Sequence, residues 1–544
     1  MCLPSPRPAL RFRFHCTALK KAPPKQPRNL DKHLFESGQQ CQKRLWLDYH
    51  EPATDEQPST RRAMAEVGQQ LLTLARSVFP KGVAIEAKTM VKAAAETKEQ
   101  LAAGTPVLFG ASFVADGVEV VSDILVQHKD GQLDLYEVKS GTKIKHRYVN
   151  DLALQVHVAE QSGHRVRAAF LLHVNPKYAH KEGADFPPMQ LLRSADVTAK
   201  VKKQVEQVRI RLPHYRNNLA DEAVLQLPMG TFCTTPFRCP HLARCTKEGP
   251  PLPLRELPEL TRAQELELHK EGIEELTGID PARPGLTFAQ RRTIACVQQQ
   301  SPIVEPFVRE ELRQTTQPLH FLALATLTEP LPRFEGQRPW RQVPFAWAAT
   351  TLHADGRLEH AAFAHADKGD PRPEFTASLA KHLEIGGTIV CWNDETLEDL
   401  RALLEDLPAA KVAVRAIIGR QHVDLMQLFE AGVFHPTLRT HSDLVASVAA
   451  LLGDASGSAL PIKNEDDLRE ALERATAPRV RSTTKEKIAA DLKAGLAWRC
   501  EQMLNLYRKY AEVELQRPKV AEKPAKTAVK ALPKPLPKPL PESS

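Results

Sequence analysis

Aromatic residues are scarce in this sequence of 544 residues, at 6% of the chain, and no apolar run approaches the ~18 residues that a membrane-spanning helix needs. Cysteine is also sparse, with nine in the whole chain, which excludes a disulfide-dense secreted scaffold. Hydrophobic residues at 42% and charged residues at 26% are ordinary for globular proteins, and they exclude a wholly disordered or collagen-like chain. The length predicts about three or four folded units.

The positive charge of the chain is concentrated at its two ends. The formal net charge is +8, but residues 1–30 carry seven bases and no acid, and residues 516–544 carry seven bases and two acids. The body between them is therefore mildly acidic. Binding of nucleic acid has to come from a local site, to which the basic ends add only a weak, salt-sensitive attraction.

Both ends are predicted to lack a packed core. Residues 1–30 are rich in proline and arginine, lack the apolar segment of a secretory signal, and are expected to form a disordered basic extension. The Lys/Pro repeat within residues 513–544 favours polyproline II structure and predicts a disordered tether; a weaker hypothesis makes it a ligand for a partner's aromatic groove. Without an export signal, we expect reduced cysteines and a cytoplasmic location.

Hydrophobic patterns divide the rest of the chain into three parts and predict an α/β fold class. Residues 31–249 combine helical spacing with strands that are punctuated by Asp116-Gly117 and Asp130-Gly131, which is typical of consecutive hairpins, followed by a helix and another strand. Residues 250–315 are rich in proline, glutamate and glutamine, which indicates a helical connector. A second α/β pattern occupies residues 316–512.

Two carboxylates and a lysine lie on neighbouring predicted strands. Asp123 is on one strand, and Glu137 and Lys139 are on the next, joined through HKDGQ. If residues 129–131 form a three-residue loop that ends in a left-handed glycine, Asp123 lies opposite Glu137 and Lys139 shares their face. A two-residue turn would instead pair Asp123 with Val138 and put Glu137 on the other face.

Convergent carboxylates of this kind form a hard oxygen site that suits Mg²⁺ or Mn²⁺. A bound metal lowers the pKa of its water and stabilises charge on a phosphate oxygen. Lys139 is placed to orient or deprotonate that water. The plainer interpretation is a surface hairpin with scattered charges.

The segments SDILV and LYEVKS, followed by the glutamine of DLALQVHV, resemble the PD-(D/E)xK core of the RecB nuclease family, and especially its iron–sulfur members such as the CRISPR adaptation nucleases. The resemblance implies a restriction-endonuclease-like fold. It also implies that Asp123 and Glu137 bind the metal, with Val138 among the metal-binding positions, that Lys139 is catalytic, and that Gln155 sits at the DNA-facing site.

Two positions depart from that resemblance. Gly110, in VLFGASF, stands where related chains often carry a glutamate, so a third acidic contribution is missing. His157 stands where a tyrosine often follows the glutamine, and its ring is also able to stack or form hydrogen bonds.

Four cysteines form a second group of candidate ligands. Cys233, Cys239 and Cys245 follow the spacing C-x5-C-x5-C, and their nearest upstream candidate partner is Cys41. Four thiolates suit structural zinc or an iron–sulfur cluster, and unligated cysteines are the plainer alternative. In iron–sulfur nucleases of the RecB type, one early cysteine and three after the core hold a four-iron cluster, so the resemblance implies a 4Fe-4S cluster, with zinc as the alternative. The remaining cysteines are interpreted as bystanders.

From LDKHLFESGQQCQKRLWL onward, the layout resembles a bacterial family that joins this nuclease domain to an RNase H-like, DEDD-type exonuclease domain, over approximately residues 30–512. Such domains begin with a strand that carries Asp-x-Glu, and the corresponding positions here are Ala323 and Ala325. The later motif positions that the resemblance assigns are Asn393, Glu398, Asp424 and Arg499. Because about four carboxylates hold the two metals of such a site, this domain is predicted to be degenerate and to cut nothing. The alternative is a shifted alignment, in which Glu329 or Asp394 supplies acids.

Together these features predict a metal-dependent DNA nuclease that is stabilised by a cysteine-bound cluster, with the later domain binding substrate or a partner. The expected partners are DNA, single- or double-stranded, and a protein that contacts the C-terminal domain or tail. The alternative is a non-catalytic nucleic-acid-binding or scaffold protein in which both nuclease folds have lost their activity.

Overall fold

A computed structural model describes residues 28–52 and 59–512. Within these residues the chain forms a six-stranded sheet, a five-stranded sheet and a two-stranded pair, together with helices, so the predicted α/β class is confirmed. The predicted disordered ends lie almost entirely outside the described residues. Leu30 is buried, and its backbone pairs with Val118, so the folded chain begins before residue 31. No described helix combines the length and the apolar character that crossing a bilayer requires.

The first region is built around the six-stranded sheet, whose strands are neighbours in chain order. The strands are β1 (Val83–Ala84), β2 (Val107–Ala115), β3 (Val118–Gln127), β4 (Leu133–Lys139), β5 (Val166–Val174) and β6 (Leu192–Asp196). The helices are α1 (Lys32–Gln40), α2 (Gln42–His50), α3 (Ser59–Arg76), α4 (Met90–Ala102), α5 (His146–Gln161), α6 (Pro188–Leu191), α7 (Thr198–Ala220) and α8 (Leu242–Glu248).

Two tight turns form the predicted hairpins. Ala115 pairs with Val118 across Asp116-Gly117, and both turn residues have positive φ, as a two-residue type I′ turn requires. The second hairpin joins β3 to β4 through a longer loop. β4 then pairs with β5 in parallel, and α5 makes the crossover between them.

Helix α5 lies in the interior of the first region. All of residues 148–159 are buried, because the helix packs against β2 and β3 on one side and against α7 on the other. Any charged side chain on this helix is consequently forced to find a partner inside the protein.

The predicted connector has a small hydrophobic core of its own. Its elements are α9 (Arg262–Lys270), α10 (Phe288–Gln299), β7 (Ile303–Val304) and α11 (Pro306–Arg313). Its buried side chains are those of Leu254, Leu257, Leu268, Leu276, Ile279 and Ile294. This part of the chain is therefore a packed unit, which its proline-rich composition did not indicate.

The third region carries the five-stranded sheet in the order β10-β9-β8-β11-β12, where β8 to β10 are antiparallel and β11 and β12 run parallel to β8. The strands are β8 (Leu319–Thr328), β9 (Gln342–Leu352), β10 (Leu358–Ala364), β11 (Thr388–Cys391), β12 (His422–Asp424) and β13 (Val433–Phe434), the last of which pairs with β7. The helices are α12 (Arg372–His382), α13 (Glu395–Asp406), α14 (Lys411–Ile418), α15 (Leu425–Gly432), α16 (Leu444–Leu452), α17 (Glu465–Thr476) and α18 (Ser482–Glu512).

Strand β8 is buried on both faces, which explains why it is a continuous apolar run. Phe321 and Ala323 face the cluster that includes α18, whereas Leu322 and Leu324 face the cluster formed with α12 to α14. A side chain on either face of β8 is therefore surrounded by helices.

A loop of the third region docks on the first region, next to the end of β4. Trp340 Nε1 donates a hydrogen bond to the carbonyl of Ser140 at 2.6 Å. His180 exchanges two backbone hydrogen bonds with the same loop, at Gln337 (3.0 Å) and Gly336 (2.9 Å). The loop thereby holds the backbone directly after Lys139.

The backbone of β2 at Gly110 depends on glycine. Its φ is +71°, and no atom lies within 4 Å of the position that a Cβ would take. We expect Gly110→Ala to lower the free energy of unfolding by about 1 kcal/mol, from backbone strain alone. The matched control is Gly68, in α3, which also has open space at the Cβ position but does not have a positive φ. Gly68→Ala is expected to raise the free energy of unfolding by about 0.5–1 kcal/mol. Urea unfolding of the full chain measures both; equal effects would contradict the role of Gly110.

Candidate active site

The register of the β3–β4 hairpin brings the predicted carboxylates together. Ile124 pairs with Tyr136, and Gln127 pairs with Leu133. The loop closes through a hydrogen bond from His128 N to the carbonyl of Gln132 at 2.9 Å. Gly131 has a φ of +79°, as a three-residue loop with a left-handed glycine requires. The predicted register is confirmed, and its continuation places Asp123 opposite Glu137.

Asp123 lies between β2 and β4 with one carboxylate oxygen free. Its Oδ2 accepts a hydrogen bond from the backbone N–H of Val138 at 2.7 Å, while Oδ1 has no hydrogen-bond partner among the described residues. Burial, followed by the charge of Glu137, raises the pKa of Asp123 to about 7. On its other side, Asp123 faces Gly110, because Phe109 pairs with Ile124 and Ala111 with Ser122. The position that a Cβ of Gly110 would take is open space.

Glu137 is almost completely buried and uses both of its oxygens. Its Oε1 accepts hydrogen bonds from Lys139 Nζ at 2.7 Å and from Lys32 Nζ at 2.9 Å, and its Oε2 accepts one from Gln155 Nε2 at 2.8 Å. Burial disfavours the charged form of Glu137, but the two ammonium groups outweigh burial and hold its pKa below the ordinary value. Glu137, Lys139 and Gln155 thus meet at one point, as the sequence predicted.

Two further charged residues complete this cluster, and the sequence did not reveal them. Asp151, on α5, is 2% exposed, and its Oδ2 accepts a hydrogen bond from Lys139 Nζ at 2.6 Å and pairs with Lys32. Asp151 precedes Gln155 by four residues, so the helical repeat was an available signal. Lys32 offered no local signal, because its partner Glu137 is 105 positions away in the chain.

The charges of the cluster balance one another. Burial opposes a charged Lys139, but Glu137 and Asp151 hold its pKa above the ordinary value. The same two carboxylates outweigh burial at Lys32 and raise its pKa as well. Both lysines are therefore hydrogen-bond donors at neutral pH. We use the name acid–lysine cluster for these residues, which are Lys32, Glu137, Lys139 and Asp151.

The donor chemistry of the site suits a divalent cation. Asp123 has one oxygen without a hydrogen bond. The negative charge of Glu137 repels its carboxylate, and no ammonium group of the described residues is hydrogen-bonded to it. That combination of repulsion and an open oxygen is what a bound cation would relieve. Within residues 28–52 and 59–512, however, no three His, Cys, Asp or Glu side chains are arranged as ligands of one metal. Of the two expected carboxylate ligands, Asp123 offers an unengaged oxygen, whereas both oxygens of Glu137 accept hydrogen bonds.

His157 does not join the acid–lysine cluster. Burial and the charge of Arg209 lower the pKa of His157, and its other charged neighbours are Asp116, Arg216 and Glu206. These groups belong to α7 and to the β2–β3 turn, on the side of α5 away from Gln155. Two residues along a helix correspond to about half a turn, which explains the separation.

The four predicted cysteines occupy one neighbourhood. Cys41 lies between α1 and α2, and the other three lie in residues 231–248, which we name the cysteine segment. Burial, with a smaller contribution from Cys41 and Cys245, raises the pKa of Cys239 to about 11. The pKa of Cys233 is also raised, mainly by burial and to a smaller extent by the same two thiols. The donor set is thus chemically suited to zinc or to an iron–sulfur cluster, although the thiols are not arranged as metal ligands.

Direct contacts hold the cysteine segment to α1 and α2. Gln40 Nε2 donates hydrogen bonds to the carbonyls of Phe232 and Phe237, both at 2.7 Å. His241 Nε2 lies 2.7 Å from Asp48 Oδ1. Outside this group, the described cysteines Cys296, Cys391 and Cys500 are buried at separate places. Cys2 and Cys16 lie outside the described residues.

The third region has two adjoining cavities at the predicted degenerate site, with volumes of about 260 and 310 Å³. Ala323, Ala325, Asn393 and Arg499 are among the residues that line them. The Arg499 guanidinium donates a hydrogen bond to the carbonyl of Lys463 at 2.9 Å.

Two other positions of the predicted motif do not reach these cavities. Glu398 points outward and pairs with Arg401 at 2.8 Å, and Asp424 caps α15 through the N–H of Gln427 at 2.7 Å. The acids that do line the cavities are Glu395, Asp399 and Asp443. Burial raises the pKa of Asp399 to about 7.

The alternative acids of a shifted alignment also lie outside these cavities. Glu329 bonds to Arg333 and to Arg469, and Asp394 is paired with His422 at 3.6 Å. Among the described residues, Ala323 and Ala325 thus line the cavities, whereas Glu329 and Asp394 do not.

Residues 320–442, within the third region, match a family described as Domain of unknown function (DUF2779). No curated protein matches the chain.

Asp48 joins the cysteine segment to α1 and α2. Although burial disfavours its charge, hydrogen bonds from His241 and Ser37 lower its pKa to about 2. We expect Asp48→Asn to reduce the free energy of unfolding at pH 7 by about 2–3 kcal/mol. Because the pKa is depressed in the folded state, this contribution is complete above the unfolded pKa of about 4 and is lost as the pH falls through about 2.

Urea unfolding at pH 7 and at pH 3 measures this loss. The control is Glu51→Gln, which removes an exposed ion pair to Arg244 and is expected to cost less than about 0.5 kcal/mol. Equal costs for the two substitutions would show that Asp48 does not anchor the segment.

Proposed function

We propose that this protein is a metal-dependent nuclease that hydrolyses phosphodiester bonds of DNA at Asp123, Glu137 and Lys139. The observation that carries the proposal is that Glu137 binds Lys139 and Gln155 at the end of β4, while Asp123, in register opposite Glu137, binds the N–H of Val138. A hairpin with scattered surface charges would expose them, whereas Glu137 is 4% exposed. Burying several charges at one point is costly, and such clusters are typical of functional sites.

The proposed fold of the first region is of the PD-(D/E)xK type. Support comes from a sheet that places Asp123 on β3, Glu137 and Lys139 on β4, and Gln155 on the crossover helix α5. For the third region we propose an RNase H-like fold. The strand order β10-β9-β8-β11-β12, with three antiparallel strands followed by two that are parallel to the first, supports it.

In the proposed reaction, Asp123 and Glu137 would hold Mg²⁺ or Mn²⁺. When bound, such an ion supplies an activated water and neutralises charge on the phosphate. Lys139 is a positively charged donor whose position is held by Glu137 and Asp151, so it stabilises the negative charge that develops on phosphate oxygens. Gln155 fixes the orientation of Glu137 by binding Oε2.

The third region is proposed to bind substrate or a partner without cutting. Its cavities present Ala323 and Ala325 where the resemblance expects acids, and they contain the guanidinium of Arg499. Replacing carboxylates by methyl groups removes metal ligands, and an arginine repels a metal ion.

One observation favours the second candidate function, a non-catalytic binding or scaffold protein. Lys32 and Lys139 already neutralise Glu137 and Asp151, so the acid–lysine cluster is satisfied without a metal. Such a network is also able to persist as a purely structural feature.

The nuclease proposal predicts loss of cutting on substitution of the site. With Mg²⁺ or Mn²⁺, we expect Asp123→Asn and Lys139→Ala to reduce the rate of DNA cutting at least about 100-fold, because each removes a group that contacts the ion or the phosphate. The control is Asp130→Asn, in the exposed loop of the same hairpin, which is expected to cut like the native chain.

The rates are measured with anaerobically purified protein, and circular dichroism checks that each variant is folded. Cutting that survives Asp123→Asn would place the activity elsewhere. Absence of cutting by the native chain with either metal would favour the scaffold function.

The cysteines are proposed to hold a 4Fe-4S cluster, with zinc as the alternative. We expect anaerobically purified protein to absorb near ~400 nm and to lose this band in Cys239→Ala, because a cluster ligand is removed. Cys296→Ala, at a buried cysteine outside the group, is expected to keep the band. Analysis of iron, sulfide and zinc accompanies the spectra. A colourless protein that contains zinc would assign a zinc site, and one without metal would contradict both.

A further inference from the structure

A wide groove adjoins the acid–lysine cluster. It has a volume of about 680 Å³ and lies between α1, the start of α5 and the cysteine segment. The basic side chains that line it are those of Arg44, Lys145, Arg147 and Arg211, against a single acid, Glu36. The body of the protein is mildly acidic, so this local excess of positive charge is distinctive.

Most of these bases are free to bind an anion. Arg44 is engaged by Asp48 at 3.1 Å. Lys145, Arg147 and Arg211 have no carboxylate within ion-pair distance among the described residues, and Lys145 is exposed. Three unpaired cations along one groove match the repeating phosphates of a nucleic-acid strand.

The groove also presents an aromatic ring to solvent. Phe237, in the cysteine segment, is 52% exposed, although apolar side chains of this size are usually buried. The guanidinium carbon of Arg147 lies 4.5 Å from the centre of the Phe237 ring. An exposed ring next to an arginine is the combination that stacks an unpaired base and holds its phosphate.

Contacts lead directly from this ring to the candidate catalytic lysine. The guanidinium carbon of Arg147 also lies 5.0 Å from the centre of the Tyr148 ring, and Lys139 Nζ lies 5.4 Å from the same centre. Tyr148 therefore separates the groove from the acid–lysine cluster. A strand lying in the groove would pass close to Lys139.

We propose that this groove binds single-stranded DNA, with a base stacked on Phe237 and phosphates held by Arg147, Lys145 and Arg211. The inference rests on the proposed nuclease function and assigns its substrate class. Single strands are favoured over a duplex because the flat face of Phe237 is useful only to a base that is free of its own stack. The cysteine segment thereby gains a second role, since it forms the wall that carries Phe237.

Binding is measured without divalent metal, so that it does not depend on cutting. Fluorescence anisotropy of the full-length protein, purified anaerobically, compares a labelled thymidine 20-mer with a hairpin duplex over a range of salt concentrations. We expect Phe237→Ala to weaken binding of the 20-mer about tenfold, and Phe237→Trp to restore it. Arg147→Gln is expected to reduce the dependence of log affinity on log salt by about 0.7, the value for one phosphate contact in a single strand.

The chain offers a matched control. Phe288 is 51% exposed, and the guanidinium carbon of Arg292 lies 5.2 Å from its ring centre, but this pair lies outside the groove. Phe288→Ala is expected to bind like the native chain. A second readout is the fluorescence of a 2-aminopurine in the strand, which stacking on Phe237 would change and a purely structural role would not.

The outcomes separate this inference from the nuclease proposal. Loss of single-strand binding in Phe237→Ala, with normal binding by Phe288→Ala, supports the groove even if no variant cuts DNA. Native-like binding by Phe237→Ala overturns it. Equal losses for the duplex and the 20-mer overturn the single-strand assignment.

Discussion

The acid–lysine cluster is the constraint on which the first region depends. Lys32 at the start of α1, Glu137 and Lys139 at the end of β4, and Asp151 on α5 bring three elements to one buried point. Removing one member of such a cluster leaves a buried charge without its partner, which typically costs about 3–5 kcal/mol. Because α5 is enclosed by the sheet and by α7, Asp151 is almost completely buried. The packing therefore requires the buried carboxylates and lysines to pair with one another, and this pairing forms the candidate active site.

Helix α1 links the two candidate sites. Lys32 begins the helix and Cys41 follows its last residue, so the acid–lysine cluster and the cysteine group are separated by about 13 Å of helix. Gln40, at the end of the same helix, holds the cysteine segment that carries Phe237. Anything that stabilises the cysteine segment consequently stabilises the groove beside Lys139. From the other side, Trp340 of the third region holds the backbone at Ser140.

The sheet of the third region does not depend on polar side chains at positions 323 and 325 of β8. Ala323 and Ala325 pair with Ala348 and Ala346, and the ladder uses only backbone groups. Helix α18 packs on one face of β8 and fills the space with apolar side chains. The cavities that remain contain Arg499 together with carboxylates that the predicted motif did not include. The helical repeat explains this difference, because neighbouring positions on α13 face different directions: Glu398 points outward and Asp399 points into the cavity.

The sequence by itself determined the features that depend on neighbouring residues. Asp130-Gly131 specified the loop, and the period of two along a strand then set Asp123 against Glu137. The helix that carries Gln155, the strand after it and the common neighbourhood of the four cysteines also followed from pattern and resemblance. Only the tertiary structure decided that Lys32 and Asp151 join Glu137, that the connector has its own core, and that α13 presents Asp399. These contacts join segments far apart in the chain, and their geometry follows from how buried helices pack, which local periodicity does not encode.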